Sequence, residues 1–209
     1  ILALLQGNFA RLVLWDGKDG VEFGRYAEKD NALVVNDLAV GIQHLVEEMG
    51  HRKLLFQKAA VNSLPAYNAK RKAKLPPLIL FVDEAALIPD ELQSALSHLI
   101  AVGGAYGIHP IIATQRPDAQ AVQGMLKANL STRIALPVPS HHDSQVILGR
   151  SGAEKLPKQK GRLLLVWNAR LIEAQAYLAP LDEGPQRPCP QNLLGSRELR
   201  LIEAAIAED

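Results

Sequence analysis

The sequence predicts an α/β fold built on a mostly parallel, helix-covered sheet. Two observations carry this. Apolar, β-prone runs alternate along the chain with segments of helical spacing. One run, Leu78-Ile79-Leu80-Phe81-Val82, is apolar throughout, as a strand buried on both faces of a parallel sheet is. It passes directly into two adjacent carboxylates, Asp83-Glu84, and the carboxyl ends of strands are where open α/β sheets bind ligands. Two acids there suit magnesium and water chemistry, one holding the hydrated ion while the next polarises an attacking water. A buried strand followed by an acidic helix start would read the same way, so the rest of the chain has to discriminate.

At 209 residues and 48% hydrophobic content the chain can bury one substantial core, which favours one domain or one plus an appendage. No apolar run approaches the ~20 residues of a membrane span. The first residues lack the basic start and cleavage site of a signal peptide, so any membrane anchor is expected outside this sequence. The lone Cys189 excludes an intrachain disulfide and fits a reducing, cytoplasmic compartment. The six histidines show no spacing suited to structural zinc. A formal net charge of +1 argues against a protein wrapped in nucleic acid by bulk charge, while allowing a few cations focused in one groove or pore.

Taken in order, residues 1–5 are an apolar stub without a cap, which suggests a helix already under way at Ile1. Arg11-Leu12-Val13-Leu14-Trp15-Asp16 reads as a second strand closed by an acid and followed by the turn Gly17-Lys18-Asp19-Gly20. Asn36 or Asp37 can cap a long amphipathic helix reaching about Ala60, with Ile42, Leu45, Val46, Met49, Leu54, Leu55 and Ala59 on its apolar side and Glu47, Glu48, Arg52 and Lys53 on its polar side. The basic run Lys70-Arg71-Lys72-Ala73-Lys74 could bind nucleic acid, but a solvated helix end is the commoner meaning. Pro89, Asp90 and Glu91 open a helix that Gly103-Gly104 stops.

A strand over residues 109–113 then leads into Thr114-Gln115-Arg116-Pro117. A helix over 120–128 and a strand over 132–136 extend the strand–helix alternation of a parallel sheet. Residues 162–166 and 172–177 flank Asn168-Ala169-Arg170 and predict a C-terminal β-hairpin. Prolines crowd residues 180–195, which read as a linker, and Ser196-Arg197-Glu198-Leu199 opens a further helix over 196–209.

Three strand ends thus bring Asp16, Asp83-Glu84 and Thr114-Gln115-Arg116 to one sheet edge. A strand-end glutamine beside catalytic acids can bond the terminal phosphate or the attacking water and relay hydrolysis to the loop that follows. A polar residue capping the sheet edge is the plainer account of Gln115. Its recurrence at the edge that carries the acidic pair favours the functional one.

An ordered series of motifs then resembles the motor domain of the FtsK/SpoIIIE DNA translocases, within the FtsK/HerA class of P-loop ATPases. The resemblance covers residues 1–179 and rests on Asp16-Gly17-Lys18-Asp19-Gly20-Val21-Glu22-Phe23, Glu47-Glu48-Met49-Gly50-His51-Arg52, Tyr67-Asn68, Asp83-Glu84, Gly107-Ile108-His109 and Ala113-Thr114-Gln115-Arg116-Pro117. Lys127-Ala128-Asn129, Thr132-Arg133-Ile134-Ala135, Asp143-Ser144 and Gly152-Ala153-Glu154-Lys155-Leu156 complete it in family order.

It implies a RecA-like P-loop NTPase core over 1–179 that uses ATP and Mg²⁺. Asp83 would be the magnesium-associated acid, Glu84 the catalytic glutamate and Gln115 the sensor, with Thr114 and Asp16 beside the nucleotide. Arg116, Lys127, His141 and Gln145 would face double-stranded DNA in the pore of a homo-oligomer, most simply a hexameric ring, tied to a membrane only through segments absent here. Cations there suit a motor that must grip phosphates and leave base edges unread.

The chain departs from the family pattern at three places. It contains no GxxxxGK[ST] loop, which the family carries just ahead of the helix that Ile1 enters, so this polypeptide alone is expected to bind and hydrolyse ATP poorly. Gly104 stands where the family has an arginine acting on the neighbouring subunit's nucleotide, a role Arg133 could take over. His141 and Gln145 occupy basic positions of the second pore loop. The implied function is an ATP-driven DNA translocase for segregation, conjugative transfer or packaging. The alternatives are a secretion-type ATPase that moves proteins and a catalytically silent ring or docking module.

Overall fold

The computed structural model describes residues 9–17, 22–115 and 129–176. They fall into two compact units. One holds the described residues up to Asp83 together with Val102–Ile111, and the other holds Glu84–Ala101 and the described residues from Ile112 onward.

The first unit is built on a four-stranded sheet in the order β2 (Ala32–Val35), β1 (Arg11–Trp15), β3 (Leu78–Val82) and β4 (Ile108–Ile112). β1 runs parallel to both of its neighbours, with Trp15 opposite Val35 on one side and Val82 on the other. Alternate residues of β1 face opposite sides, and both sides are covered. Leu12 and Leu14 join Ala10, Val34 and Phe23 in one cluster, against which Tyr26, Ala27, Ile79 and Phe81 pack. On the other side lie Val13 and Val35. A side chain at Gly41 would come within 3.2 Å of Val35 and 3.4 Å of Val13, so its absence allows helix α1 (Leu38–Lys58) to lie close to the sheet. The short strand β2 was not legible as one, because Ala32-Leu33-Val34-Val35 is brief and merges with the helix cap that follows it. Asp37 is that cap, accepting the Ala39 N–H at 2.8 Å.

α1 corrects the expected division into apolar and polar sides. Glu48 and Arg52 are buried, Arg52 with only 2% of its surface exposed, whereas Leu54 is 58% exposed. The Arg52 guanidinium bonds in three directions: Nε to Glu48 Oε1 at 2.7 Å, one terminal nitrogen to the Tyr106 carbonyl at 2.8 Å and the other to the Pro76 carbonyl at 2.9 Å. Helical periodicity assigns charged residues to solvent, and here a planar fork of donors with three acceptors in place overrides it.

Helix α2 (Leu64–Lys70) packs Leu64 and Tyr67 against Leu55 and Phe56 of α1, with the Phe56 ring stacked on Tyr67 and Tyr106. The basic run at its end folds back on the protein. Lys70 donates to the Ala59 carbonyl, Lys74 to the carbonyls of Asn68 and Arg71, and Arg71 lies over the Tyr67 ring. It behaves as the helix end that its frequency on protein surfaces suggests.

The Gly103–Tyr106 turn ends at Gly107, whose φ of 74° is left-handed and whose missing side chain would otherwise sit 2.2 Å from Leu64. Its carbonyl accepts the Leu78 N–H at 2.8 Å, joining the starts of β3 and β4.

The second unit contains helix α3 (Asp90–Val102) up to Ala101, opened by Asp90 and Glu91 in its first turn, and a three-stranded antiparallel sheet in the order β5 (Arg133–Ala135), β6 (Arg162–Trp167), β7 (Arg170–Gln175). The β6–β7 hairpin is the one expected. Its turn is tighter, with Asn168 and Ala169 both left-handed at φ 48° and 61°, which brings Arg170 into the strand opposite Trp167. β5 corrects the sequence reading: it pairs antiparallel with β6, Ile134 opposite Leu165, instead of extending the parallel sheet. Three residues are too few to reveal their partner, and the deciding contacts come from Leu164, Leu148, Ala153 and Leu156, which enclose Ala135. The expected helix over 120–128, the linker and the last helix lie outside the described residues.

Replacing Arg52 by methionine leaves the buried Glu48 carboxylate without its partner and two carbonyls unmet. We expect a loss of about 3–5 kcal/mol in chemical denaturation, with Glu48→Leu in the same chain restoring only part of it. His109 on β4 supplies a second test. Partial shielding from water, followed by repulsion from the Arg52 guanidinium, holds its imidazole below the usual range, although the residue keeps an exposed edge. A neutral-favouring histidine stabilises the fold above its unfolded value of about 6.5, and the contribution is lost as pH falls through the lower folded value. The wild-type melting temperature should therefore drop more steeply on acidification from neutrality than that of His109→Gln; parallel curves would contradict it.

Candidate functional site

The register of the parallel sheet places the acids. Trp15, Val35 and Val82 are aligned, so Asp16, Asn36 and Asp83 each follow at the carboxyl end of neighbouring strands. The Trp15 indole donates to the Asn36 carbonyl at 3.3 Å and the Asp83 N–H to the Trp15 carbonyl at 3.3 Å, which ties the three strand ends together. Asp16 is 2% exposed, and its Oδ2 accepts the Glu22 N–H at 2.6 Å, so its carboxylate is built into the turn that follows β1. Residues 18–21 lie outside the described residues.

The next residue of the chain, Glu84, belongs to the second unit. It is 7% exposed. Backbone pairing of the Ala85 N–H with the Ala113 carbonyl at 2.8 Å sets it against the segment that continues from β4. Both oxygens of its carboxylate are engaged there: Oε1 accepts the Thr114 hydroxyl and, at 3.4 Å, the Ala86 N–H, while Oε2 accepts the Gln115 N–H at 3.1 Å. The Gln115 side chain is exposed beside it. The structure brings Glu84, Thr114 and the Gln115 backbone together and adds a direct bond between Thr114 and Glu84 that sequence patterning did not anticipate.

The remaining expected residues divide. Arg116 and Lys127 lie outside the described residues. His141 and Gln145 are exposed on helix α4 (His141–Leu148). A loop had been expected there, but Ser140 and Asp143 form a reciprocal cap, with the Asp143 N–H donating to Ser140 Oγ at 3.1 Å and the Ser140 N–H to Asp143 Oδ2 at 3.2 Å. The Ser-x-x-Asp spacing could have revealed the helix. Ser144, fully buried, donates to the Arg150 carbonyl at 2.8 Å and accepts the Ala153 N–H at 3.1 Å, fastening α4 to the turn behind it. In that turn the Gly152 N–H, at 2.8 Å, holds the Glu154 carboxyl below its usual range.

Gly104 lies in the Gly103–Tyr106 turn, where a side chain would meet nothing within 4 Å. Arg133 on β5 gives its Nε to the Leu130 carbonyl at 3.1 Å. Among the described residues no group of three histidine, cysteine or acidic side chains forms a metal cage, and no helix is long and apolar enough to cross a membrane.

Comparison with known proteins fits this arrangement. The DNA translocase FtsK of Borreliella burgdorferi is 36% identical over 184 residues, which is 81% of this chain and 22% of that protein. FtsK of Staphylococcus aureus is 35% identical over 144 residues, 62% of this chain and 18% of that one. Among solved structures, the pCW3 conjugation coupling protein TcpA, in its monomer form with ATPγS, aligns at a TM-score of 0.73 with 29% identity over 83% of this chain and 53% of that chain. The chain belongs to the FtsK/SpoIIIE-type motor domains.

As an FtsK/SpoIIIE-type domain it has the RecA-like α/β fold of these neighbours, with the antiparallel sheet of β5 to β7 in addition. It spans about a fifth of the length of the curated relatives it matches. The cytoplasmic domain of the type VII secretion ATPase EccC of Thermomonospora curvata aligns at a TM-score of 0.70 with 21% identity, over 93% of this chain and 27% of that one, a likeness of fold. No family model matches the chain.

Proposed function

We propose that this chain is part of the motor core of an ATP-driven double-stranded DNA translocase. The observation that carries the reading is the Glu84 carboxylate, drawn to the strand end that bears Thr114 and Gln115 and joined by one peptide bond to Asp83. A hydrolytic site of this class needs a general base, an acid for the ion and a group that reports the terminal phosphate. Glu84 takes the first role, Asp83 the second and the exposed Gln115 side chain the third.

The donor set fits Mg²⁺, which keeps most of its waters and needs one or two carboxylates and no cage. Asp83 would hold it through its water shell, with Asp16 at the neighbouring strand end. Bound there with ATP, the ion would neutralise charge developing on the phosphates. The chain's own contribution is to orient and deprotonate. Burial of Glu84 keeps bulk water from competing with the one water it must polarise. The neighbouring backbone fixes the carboxylate to a strand end, so its position follows that of Gln115.

Double-stranded DNA is the favoured substrate because the relatives of higher identity are named DNA translocases and a conjugation coupling protein, while the likeness to the secretion ATPase is one of fold. Arg116 and Lys127, with His141 and Gln145 of α4, are the side chains proposed to meet the duplex from within a ring of identical subunits, most simply six. The role in segregation, conjugative transfer or packaging follows from this reading.

In the intact protein, Glu84→Gln should lower DNA-stimulated ATP hydrolysis by about 10²–10⁴-fold, the usual share of a general base, while nucleotide binding persists. Equal turnover in the two proteins would remove Glu84 from the chemistry. Arg116→Ala should weaken duplex binding about equally across sequences and reduce the slope of log affinity against log salt by about 1. Unchanged binding and slope would overturn the pore assignment.

A further inference from the structure

Glu84 does not stand ready in the way a free base would. Its two oxygens accept from an O–H and from an N–H of adjacent residues: the Thr114 hydroxyl on Oε1 and the Gln115 amide on Oε2. The hydroxyl comes from a β-branched side chain with few rotamers, half-buried just beyond β4. These two donors and the Ala86 N–H, at 3.4 Å on Oε1, occupy the carboxylate, so it cannot take a proton from water without giving up a partner. Of the two, the amide contact is backbone and belongs to any residue at position 115. The hydroxyl contact belongs to threonine or serine alone.

We propose that Thr114 is a positioning residue that holds Glu84 in a resting orientation, so that hydrolysis requires the Thr114–Glu84 bond to open. This rests on the hydrolytic reading of Glu84 and alters the expected role of Thr114, which the family resemblance placed beside the nucleotide. Gln115 follows Thr114 directly. A displacement of this strand end by a phosphate bonded to the Gln115 side chain would therefore move the Thr114 hydroxyl and take that donor from Oε1, leaving the Ala86 N–H there. Sensing and release of the base would then be one motion of two consecutive residues.

The test is steady-state ATP turnover of the intact protein, with and without duplex DNA, for Thr114→Val, Thr114→Ser, Glu84→Gln and the Glu84→Gln/Thr114→Val pair. Valine keeps the shape and removes the hydroxyl; we expect DNA-free kcat to rise several-fold, KM for ATP to stay unchanged and stimulation by DNA to shrink. Serine, which restores the hydroxyl, should return all three toward wild type, and Glu84→Gln should reduce turnover to the same low residual level with either residue at 114.

A rise in KM without a rise in kcat would assign Thr114 to the nucleotide and overturn the proposal, as would an unchanged or lowered DNA-free kcat while Glu84→Gln remains at its low residual level. Wild-type turnover in Glu84→Gln would overturn the hydrolytic reading and, with it, the hold. Matching melting curves for wild type and Thr114→Val show that the variant is folded. If it is not, Thr114→Ala takes its place with the same expected outcomes.

Discussion

The parallel sheet of the first unit depends on one guanidinium. Arg52 is buried in the middle of the longest helix, and its three bonds reach the Glu48 carboxylate of the same helix, the carbonyl just before β3 and the carbonyl just before β4. A buried charge of this kind costs several kcal/mol in desolvation and returns it only if every donor is matched. Its value is geometric. The peptide carbonyls of Pro76 and Tyr106 are fixed relative to one helix, and the Leu78 N–H then closes on the Gly107 carbonyl, so β3 and β4 start in a defined register. An apolar residue at position 52 could fill the volume but could not specify which residue of each strand comes first.

Register at the start of a strand is register at its end. β3 has five residues, and a slip of one would exchange Leu78, Leu80 and Val82, which are buried, for Ile79 and Phe81. It would also carry Asp83 away from the Trp15 carbonyl and out of line with Asp16. Glycine completes the arrangement at two points where a side chain has no room. Gly107 turns the chain in a left-handed conformation against Leu64, and Gly41 lets α1 approach Val13 and Val35. The acids at the sheet edge are therefore placed by contacts made at the opposite end of the strands.

Much of this was legible in the sequence where a signal is local and long. The apolar runs of β1 and β3, the Asp37 cap of α1 and the acidic start of α3 each announce themselves within a few residues. What failed was decided by distant partners. Arg52 and Glu48 read as solvated because their acceptors are backbone carbonyls 24 and 54 residues away from Arg52, and carbonyls have no sequence signature. β5 read as a further parallel strand because three residues cannot say which neighbour will pair with them. α4 differs, because its signal is local: the Ser140–Asp143 cap opens a helix where the resemblance implies a pore loop. The candidate site shows the same division. Asp83, Glu84 and Gln115 are visible because they sit at the ends of strands, whereas the bond from Thr114 to Glu84 depends on how two strand ends meet.

The departure at Gly104 is one of chemistry, with the fold unchanged. The Gly103–Tyr106 turn leaves open space around Gly104 and places no demand for a positive φ on it, in contrast to Gly107 three residues later. Steric exclusion therefore does not account for the missing arginine, and the turn could carry a long side chain without rearrangement. A motor that lacks this charge must draw transition-state stabilisation from elsewhere. Arg133 gives its Nε to the Leu130 carbonyl from a short strand paired with β6, and under the proposed motor reading it is the candidate to supply that charge. On the proposed reading, the hold on Glu84 and the absence of an arginine at position 104 would both restrain turnover, the first until the Thr114–Glu84 bond opens and the second until another cation takes its place.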